Sequence, residues 1–317
     1  MWLRALLLLL SFYSCHVSAV TYPVPTQGNS VIGEVQYITA GDEDTLLSLG
    51  RQYRVGYNEM VAANPTVDIW LPGAGTRIVI PSRYILPDVP HVGIVVNVAE
   101  QRIYYFPSVQ SGDVPVVKTF PVSIGKMDWK TPLGLTRIID KRIHPTWYPP
   151  LSVRNEHAAR GEILPAVVPP GPNNPLGEFA MRLGIAGGAY LIHGTNKPTA
   201  IGMDVTHGCI RMFPEDIEAF FKEVPINTPV MIIDQPYKMG WSGNELYIET
   251  HSVQVKGQAS VAPNMTELTR LFVSVTKQHP VRLDWQGAEQ AFMSASGLPI
   301  QVKVFDEHER HSIKINH

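Results

Sequence analysis

Cysteine is nearly absent from this chain of 317 residues, which holds only Cys15 and Cys209. A framework of several disulfides is therefore excluded. Long apolar runs are scarce too. The run that begins at Ala5–Leu10 falls far short of the ~20 residues a spanning helix needs, and nothing later approaches that length. The sequence thus predicts no integral membrane segment in the mature chain. An excess of one charge is also missing. Against 28 Asp and Glu stand 26 Lys and Arg, a net charge of −2 without any basic run. That removes the electrostatic footprint of a nucleic-acid binder and of a membrane-surface patch. No internal repeat occurs, and no H-x-H, H-E-x-x-H or C-x-x-C spacing marks a metal site.

What is present is globular in kind, with 44% hydrophobic and 17% charged residues. The N-terminus has the layout of a secretory signal peptide over residues 1–19. Arg4 forms the positive end, an apolar run follows, and Val17-Ser18-Ala19 is a small-residue site for cleavage after Ala19. Bulky Phe12-Tyr13-Ser14 ahead of Cys15 is a poor lipoprotein signal. Cleavage removes Cys15 and leaves Cys209 alone. An exported protein normally uses cysteines in pairs. A single thiol is then either buried and inert, or kept because it reacts.

Along the chain, residues 20–34 contain Pro23, Pro25 and Gly28 without a clear period and read as an extended arm. Val35-Gln36-Tyr37-Ile38-Thr39 alternates as a strand does. Gly41-Asp42-Glu43-Asp44-Thr45 offers capping oxygens before Leu46, Leu49 and Tyr53 at helical spacing. Val55-Gly56 ends that helix, a second follows over 57–63, and Asn64-Pro65 stops it. A turn at Leu71–Gly75 leads to a strand over 76–81. The order is β-α-α-β. Asp44-Thr45-Leu46-Leu47-Ser48-Leu49, Tyr57-Asn58-Glu59-Met60, Ala63-Asn64-Pro65 and Leu71-Pro72-Gly73 to Ile80-Pro81 together resemble a LysM module over residues 35–82. That resemblance implies binding to N-acetylglucosamine-containing glycans such as peptidoglycan, in a groove between the loops Gly41–Thr45 and Asn64–Trp70. A spacer without glycan affinity stays open as the alternative.

Residues 83–90, with Pro87 and Pro90, read as a linker. A second domain is expected over 91–235. Gly93–Val98 and Arg102–Phe106 are β-rich runs around a hairpin at Ala99-Glu100-Gln101. Residues 114–124 hold further strand pattern. Residues 142–176 are crowded with proline and predict a long ordered loop, anchored by Trp147, Tyr148, Leu164, Val167 and Val168, of the kind that forms lids or binding walls. Ala189-Tyr190-Leu191-Ile192 is a strand leading into His193. Pro214-Glu215-Asp216 opens a helix with Ile217, Phe220, Phe221 and Val224 on its buried side. Pro229–Ile233 is a closing strand. Residues 238–317 read as a small α+β extension with helices over 267–277 and 289–295 and strands over 281–285 and 299–304. It carries no catalytic pattern, and His308, His311 and His317 are scattered tail residues. The fold class expected is mainly β with α (α+β).

The chemistry concentrates at Thr206-His207-Gly208-Cys209-Ile210-Arg211, with His193-Gly194-Thr195 upstream. A free thiol is mostly protonated at neutral pH, so attack on a carbonyl needs a base or a positive neighbour. His207 lies two residues before Cys209, on the same face of an extended segment. His193 ends an earlier strand and could lie opposite. Spacing alone does not choose between them. Gly208 lets the backbone approach a substrate and can supply an oxyanion-hole N–H.

These two patterns, with Lys130-Thr131-Pro132-Leu133-Gly134, resemble the signature of the L,D-transpeptidase family, whose catalytic domain is of the YkuD type. The resemblance covers about residues 91–235 and implies a β-sandwich-like sheet with a helix. It implies that Cys209 is the nucleophile and His193 its proton acceptor and donor, with the Gly194 carbonyl orienting the ring. N–H groups around Gly208 and Cys209 would hold the oxyanion. Thr206, His207 and Arg211 would shape the pocket and contact substrate. The reaction implied is attack on a peptidoglycan tetrapeptide stem between its diamino acid and D-Ala, loss of D-Ala, and resolution of the thioester by an amine. No cofactor is implied, and the place of action is the periplasm.

With the LysM-like module and the C-terminal extension, the architecture resembles the lipoprotein-anchoring subgroup of Gram-negative bacteria. In that subgroup the amine is the C-terminal lysine of an outer-membrane lipoprotein. Cross-linking of two stems (3→3), hydrolysis as an L,D-carboxypeptidase, and a glycan-binding protein with a degenerate site stay open. So do a His193/His207/Cys209 zinc site and purely structural roles for His207 and Arg211.

Overall fold

The computed structural model describes residues 20–125, 131–252 and 264–306. Residues 1–19, where a signal peptide is expected, with Cys15, Lys130 of the Lys-Thr-Pro segment, and His308, His311 and His317 lie outside the described residues.

The N-terminal unit has the expected β-α-α-β order. Helix α1 (Leu46–Tyr53) starts at Thr45, whose hydroxyl accepts the Ser48 N–H at 2.9 Å, and the Ser48 hydroxyl accepts the Thr45 N–H in return. It stops at Arg54, which adopts a left-handed φ of 58°. Helix α2 (Tyr57–Ala63) follows, with Glu59 Oε2 accepting the Gly56 N–H at 2.7 Å. Strands Gln36–Thr39 and Arg77–Ile80 pair antiparallel beside them. Leu46, Leu49, Val55, Met60, Ile78 and Ile80 make a small core.

Among the described residues the main sheet has nine strands. Their order is Val20–Pro23, Val116–Pro121, Arg102–Phe106, Gly93–Asn97, Pro229–Ile233, Gly134–Ile143, Phe179–Leu183, Leu191–His193 and Ile210–Arg211. Two neighbours are parallel, Gly93–Asn97 with Pro229–Ile233 and Leu191–His193 with Ile210–Arg211. The sheet curls around one core containing Ile94, Val96, Ile103, Phe120, Met181, Ile192 and Ile210. After helix α3 (Leu151–Ala158), helix α4 (Pro214–Glu223) adds Ile217 and Phe220 to that core. Pro214 and two acids in its first turn suit the positive helix end. The Lys141 ammonium suits the other, donating to the carbonyls of Phe221 and Val224. The architecture is mixed α+β and strand-rich.

Several expectations need correction. The arm 20–34 is extended as expected but is paired along part of its length: Val20–Pro23 is an edge strand of the main sheet, and Val31–Gly33 pairs with Arg83–Ile85. Nor do residues 83–90 begin as a linker, since Tyr84, Ile85 and Leu86 are buried, and Tyr84 and Leu86 share a core with Ile32, Val95 and Tyr104. Short runs between prolines carry no period, and only long-range pairing gives them a face to bury. The proline-rich stretch holds α3, which occupies its proline-free part directly after Pro150. In the C-terminal part, the hairpin Tyr237–Ser242 with Glu245–Thr250 was not anticipated. Helices α5 (Met265–Thr276) and α6 (Trp285–Met293) pack on it, and α6 begins where a strand end was expected. The Asp284 carboxylate caps it, accepting the Gly287 N–H at 3.3 Å.

Buried ion pairs join the parts. Arg102 of the main sheet is fully buried against Glu59 of α2, with N–O distances of 2.7 Å. Arg54 meets Glu215 at 2.6 Å and Asp216 at 3.3 Å. Lys238 sits between Glu100 at 2.6 Å and Glu249 at 2.8 Å. Removing one member of such a pair strands the other charge without water or partner, at a cost of ~3–5 kcal/mol. Glu59→Ala should therefore lose stability of that order in thermal or urea unfolding. A loss below ~1 kcal/mol would show that the Glu59–Arg102 pair does not join the N-terminal unit to the sheet.

Candidate active site

The sheet edge builds the site. Leu191–His193 and Ile210–Arg211 run parallel, with Ile192 opposite Ile210 and His193 opposite Arg211. Side chains alternate along strands, so Ile192 and Ile210 point into the core while His193 and Arg211 share the other face. Cys209 directly precedes the Ile210–Arg211 strand, and the positive charge of Arg211 acts on both the His193 ring and the Cys209 thiol. His207 is drawn elsewhere: its Nε2 is 2.6 Å from Glu156 Oε2 on α3.

The backbone around the thiol is held from several sides. Gly208 has a φ of +95°, a conformation that costs any residue with a Cβ. Its carbonyl accepts the Thr131 hydroxyl at 3.1 Å, and that hydroxyl accepts the Gly125 N–H at 3.3 Å. The buried Thr206 hydroxyl donates to the Cys209 carbonyl at 2.5 Å. Ser123 exchanges backbone hydrogen bonds of 2.9 Å with Arg211. The Cys209 thiol is half-buried and points toward the Ala189 carbonyl at 3.7 Å.

His193 is buried, and its Nδ1 lies 2.6 Å from the Gly194 carbonyl oxygen. A carbonyl only accepts, so Nδ1 carries the proton and Nε2 keeps its lone pair. Burial, and then the positive charge of Arg211, push the imidazole down to about 3, against the pull of the Gly194 and Leu176 backbone groups. Burial pushes the Cys209 thiol above its ordinary value, while the Leu191 backbone and Arg211 pull it back. At neutral pH both the thiol and the imidazole are therefore uncharged. Arg211 is itself lowered by burial, and its Nε has no hydrogen-bond partner among the described residues.

Two contributors had no signal in the sequence. Glu156 lies on a helix inside a proline-rich stretch where no period marked one. Ser123 acts mainly through its backbone, to which residue type is blind. Thr131 was visible only as part of a longer motif. No metal-ligand set forms from His193, His207 and Cys209. Among the described residues the one grouping of that kind is Glu100, Glu249 and His251, where Lys238 already holds both carboxylates.

Because the thiol is raised and the imidazole is lowered, alkylation of Cys209 by iodoacetamide should keep rising with pH through 7 to 9. A plateau below pH 7 would reveal a preformed thiolate–imidazolium pair and contradict this electrostatic account. Arg211→Ala should slow the reaction at every pH in that range by removing the charge that favours thiolate.

Comparison with known proteins accords with this geometry. The profile of YkuD, the L,D-transpeptidase catalytic domain, matches residues 91–232. The probable L,D-transpeptidase YbiS of Escherichia coli (strain K12) is 39% identical over 295 residues, covering 90% of this chain and 92% of that protein. The probable L,D-transpeptidase ErfK/SrfK of the same strain is 38% identical over 301 residues, covering 92% and 93%. YcfS, a third probable L,D-transpeptidase of that strain, is 36% identical over 289 residues, covering 90% and 89%. With the catalytic domain matched and such relatives aligned along nine-tenths of its length, this chain belongs to the L,D-transpeptidase family of enzymes.

Proposed function

We propose that the protein is exported by its cleaved N-terminal segment and works in the periplasm on peptidoglycan through a Cys209 thioester. The observation that carries this reading is the pairing of His193 with Arg211, whose charge acts on both the imidazole and the Cys209 thiol, with the His193 ring locked by the Gly194 carbonyl. Cys209 Sγ attacks the carbonyl between the stem's diamino acid and its D-Ala as His193 Nε2 takes the thiol proton. N–H groups about Gly208 and Cys209 receive the charge on the carbonyl oxygen. Collapse breaks the C–N bond, His193 returns the proton to the leaving amine, and D-Ala departs. An acceptor amine then attacks the thioester, His193 takes its proton, and the thiol is restored as the new amide forms. Gly194 fills the orienting place that a carboxylate holds in a serine triad. The buried, unpartnered Arg211 Nε suits a substrate oxygen, and Thr206 and His207 fix the walls.

The β-α-α-β unit, read as a LysM module, supports a glycan-bearing substrate. A cleft of about 530 Å³ lies along it, lined by Tyr57, Trp70, Thr199 and Phe213 among others. Aromatic faces with polar neighbours suit a sugar chain. For the acceptor we favour the C-terminal lysine of an outer-membrane lipoprotein. The support is architectural: module, catalytic domain and C-terminal α+β part occur together, and the relatives align across all three.

Purified protein given a tetrapeptide muropeptide with a lysine-ended peptide should release D-Ala and yield the lysine adduct, read by mass spectrometry. Cys209→Ala should remain folded and form none, a loss of at least ~10³-fold. Turnover by Cys209→Ala would sink the thioester mechanism. Stem dimers in place of the lysine adduct would show 3→3 cross-linking, and free tripeptide would show hydrolysis.

A further inference from the structure

Helix α2 begins directly against the loop that leads into the nucleophile. The N–H groups of Tyr57 and Asn58 donate to the carbonyls of Ile201 at 2.9 Å and Gly202 at 3.1 Å. These are first-turn donors that no carbonyl inside the helix can satisfy. The fit is backbone on backbone. A Cβ at Gly202, whose φ is +86°, would lie 2.3 Å from Tyr57 N, and one at Gly56 would lie 3.0 Å from Gly202 Cα. No side chain can stand between the two segments.

A relay of three side chains runs beside this contact. Asn58 Nδ2 donates to Gln101 Oε1 at 3.0 Å, and Gln101 Nε2 donates to Asp204 Oδ1 at 2.7 Å. Gln101 is buried and adopts a left-handed φ of 57°. Glycine or asparagine would hold that turn with less strain, so the glutamine side chain is what the position uses. Asp204 opens strand Asp204–Thr206, paired in parallel with Ile124–Gly125. That strand ends at Thr206, whose hydroxyl holds the Cys209 carbonyl. The same loop is pinned from the other side by the Ser123 hydroxyl, which donates to the Ala200 carbonyl at 2.6 Å.

We propose that Asn58, Gln101 and Asp204 are positioning residues for Cys209. They carry the docked position of α2 to residues 201–206 and so set the backbone frame in which the thiol meets its carbonyl. The N-terminal unit is then a working part of the site as well as a substrate anchor. Displacement of a nucleophile by about 1 Å costs roughly 10²-fold in rate, so a three-membered relay has leverage over the chemistry. The proposal rests on the reading of Cys209 as nucleophile.

The test uses the full-length protein and acylation of Cys209 by a carbapenem, followed by intact mass well below the unfolding temperature. Asn58→Ala, Gln101→Ala and Asp204→Ala should each slow acylation by about tenfold. In turnover, kcat should fall while KM and sedimentation with peptidoglycan stay at wild-type values. Asp204→Asn keeps an oxygen for Gln101 Nε2 and should recover the rate to within about threefold of wild type. Wild-type acylation rates in all three alanine variants would overturn the proposal. So would rate losses that match the unfolded fraction, because a purely structural role predicts them. A wild-type protein that takes no label at Cys209 would overturn the nucleophile reading itself, and the positioning role with it.

Discussion

The site depends on one short stretch of parallel pairing, Leu191–His193 beside Ile210–Arg211. Two apolar residues, Ile192 and Ile210, are buried in the main core and fix the register. Because the side-chain period of a strand is two, their burial obliges His193 and Arg211 to face the other way, with Cys209 directly before that strand. A slip by one residue would put an imidazole and a guanidinium into the core and an isoleucine at the reaction centre. The hydrophobic core thus selects the register, and the register assembles the chemistry.

The electrostatics follow from where that face lies. It is screened from water enough to keep both the thiol and the imidazole neutral, and Arg211 is the charge placed among them. A neutral thiol resists oxidation better than a thiolate does, which suits a cysteine that stays free. The imidazole keeps its orientation through a backbone carbonyl, so no second buried carboxylate has to be accommodated. Burial raises the cost of charge in the site and so favours the neutral thiol and the neutral imidazole at rest.

The sequence made the stretch from Thr206 to Arg211 legible because its residues are contiguous and their chemistry is intrinsic. Cys209, Gly208 and Thr206 each act within a few residues of one another. Spacing alone left His193 and His207 open, the family resemblance pointed to His193, and the strand pairing that sets His193 opposite Arg211 joins segments too far apart for a local pattern to record. Glu156 was invisible: its helix is eight residues long and enclosed by prolines, so neither period nor cap announced it. The segments 20–34 and 83–90 failed for a related reason. Their burial comes from partners far along the chain, which no local pattern records. The helical elements of the N-terminal unit were legible because capping and spacing are local properties.

Buried ion pairs and the α2 contact make the N-terminal unit, the main sheet and the C-terminal part into one framework around the Cys209 thiol. The measurement that bears most directly on this account is the location of the covalent intermediate. Wild-type protein mixed with tetrapeptide and no acceptor, quenched in acid and digested, should carry the stem less its D-Ala on the peptide containing Cys209. The adduct should vanish with hydroxylamine, as a thioester does. An adduct on any other residue, or D-Ala release with no covalent adduct at any time, would contradict it.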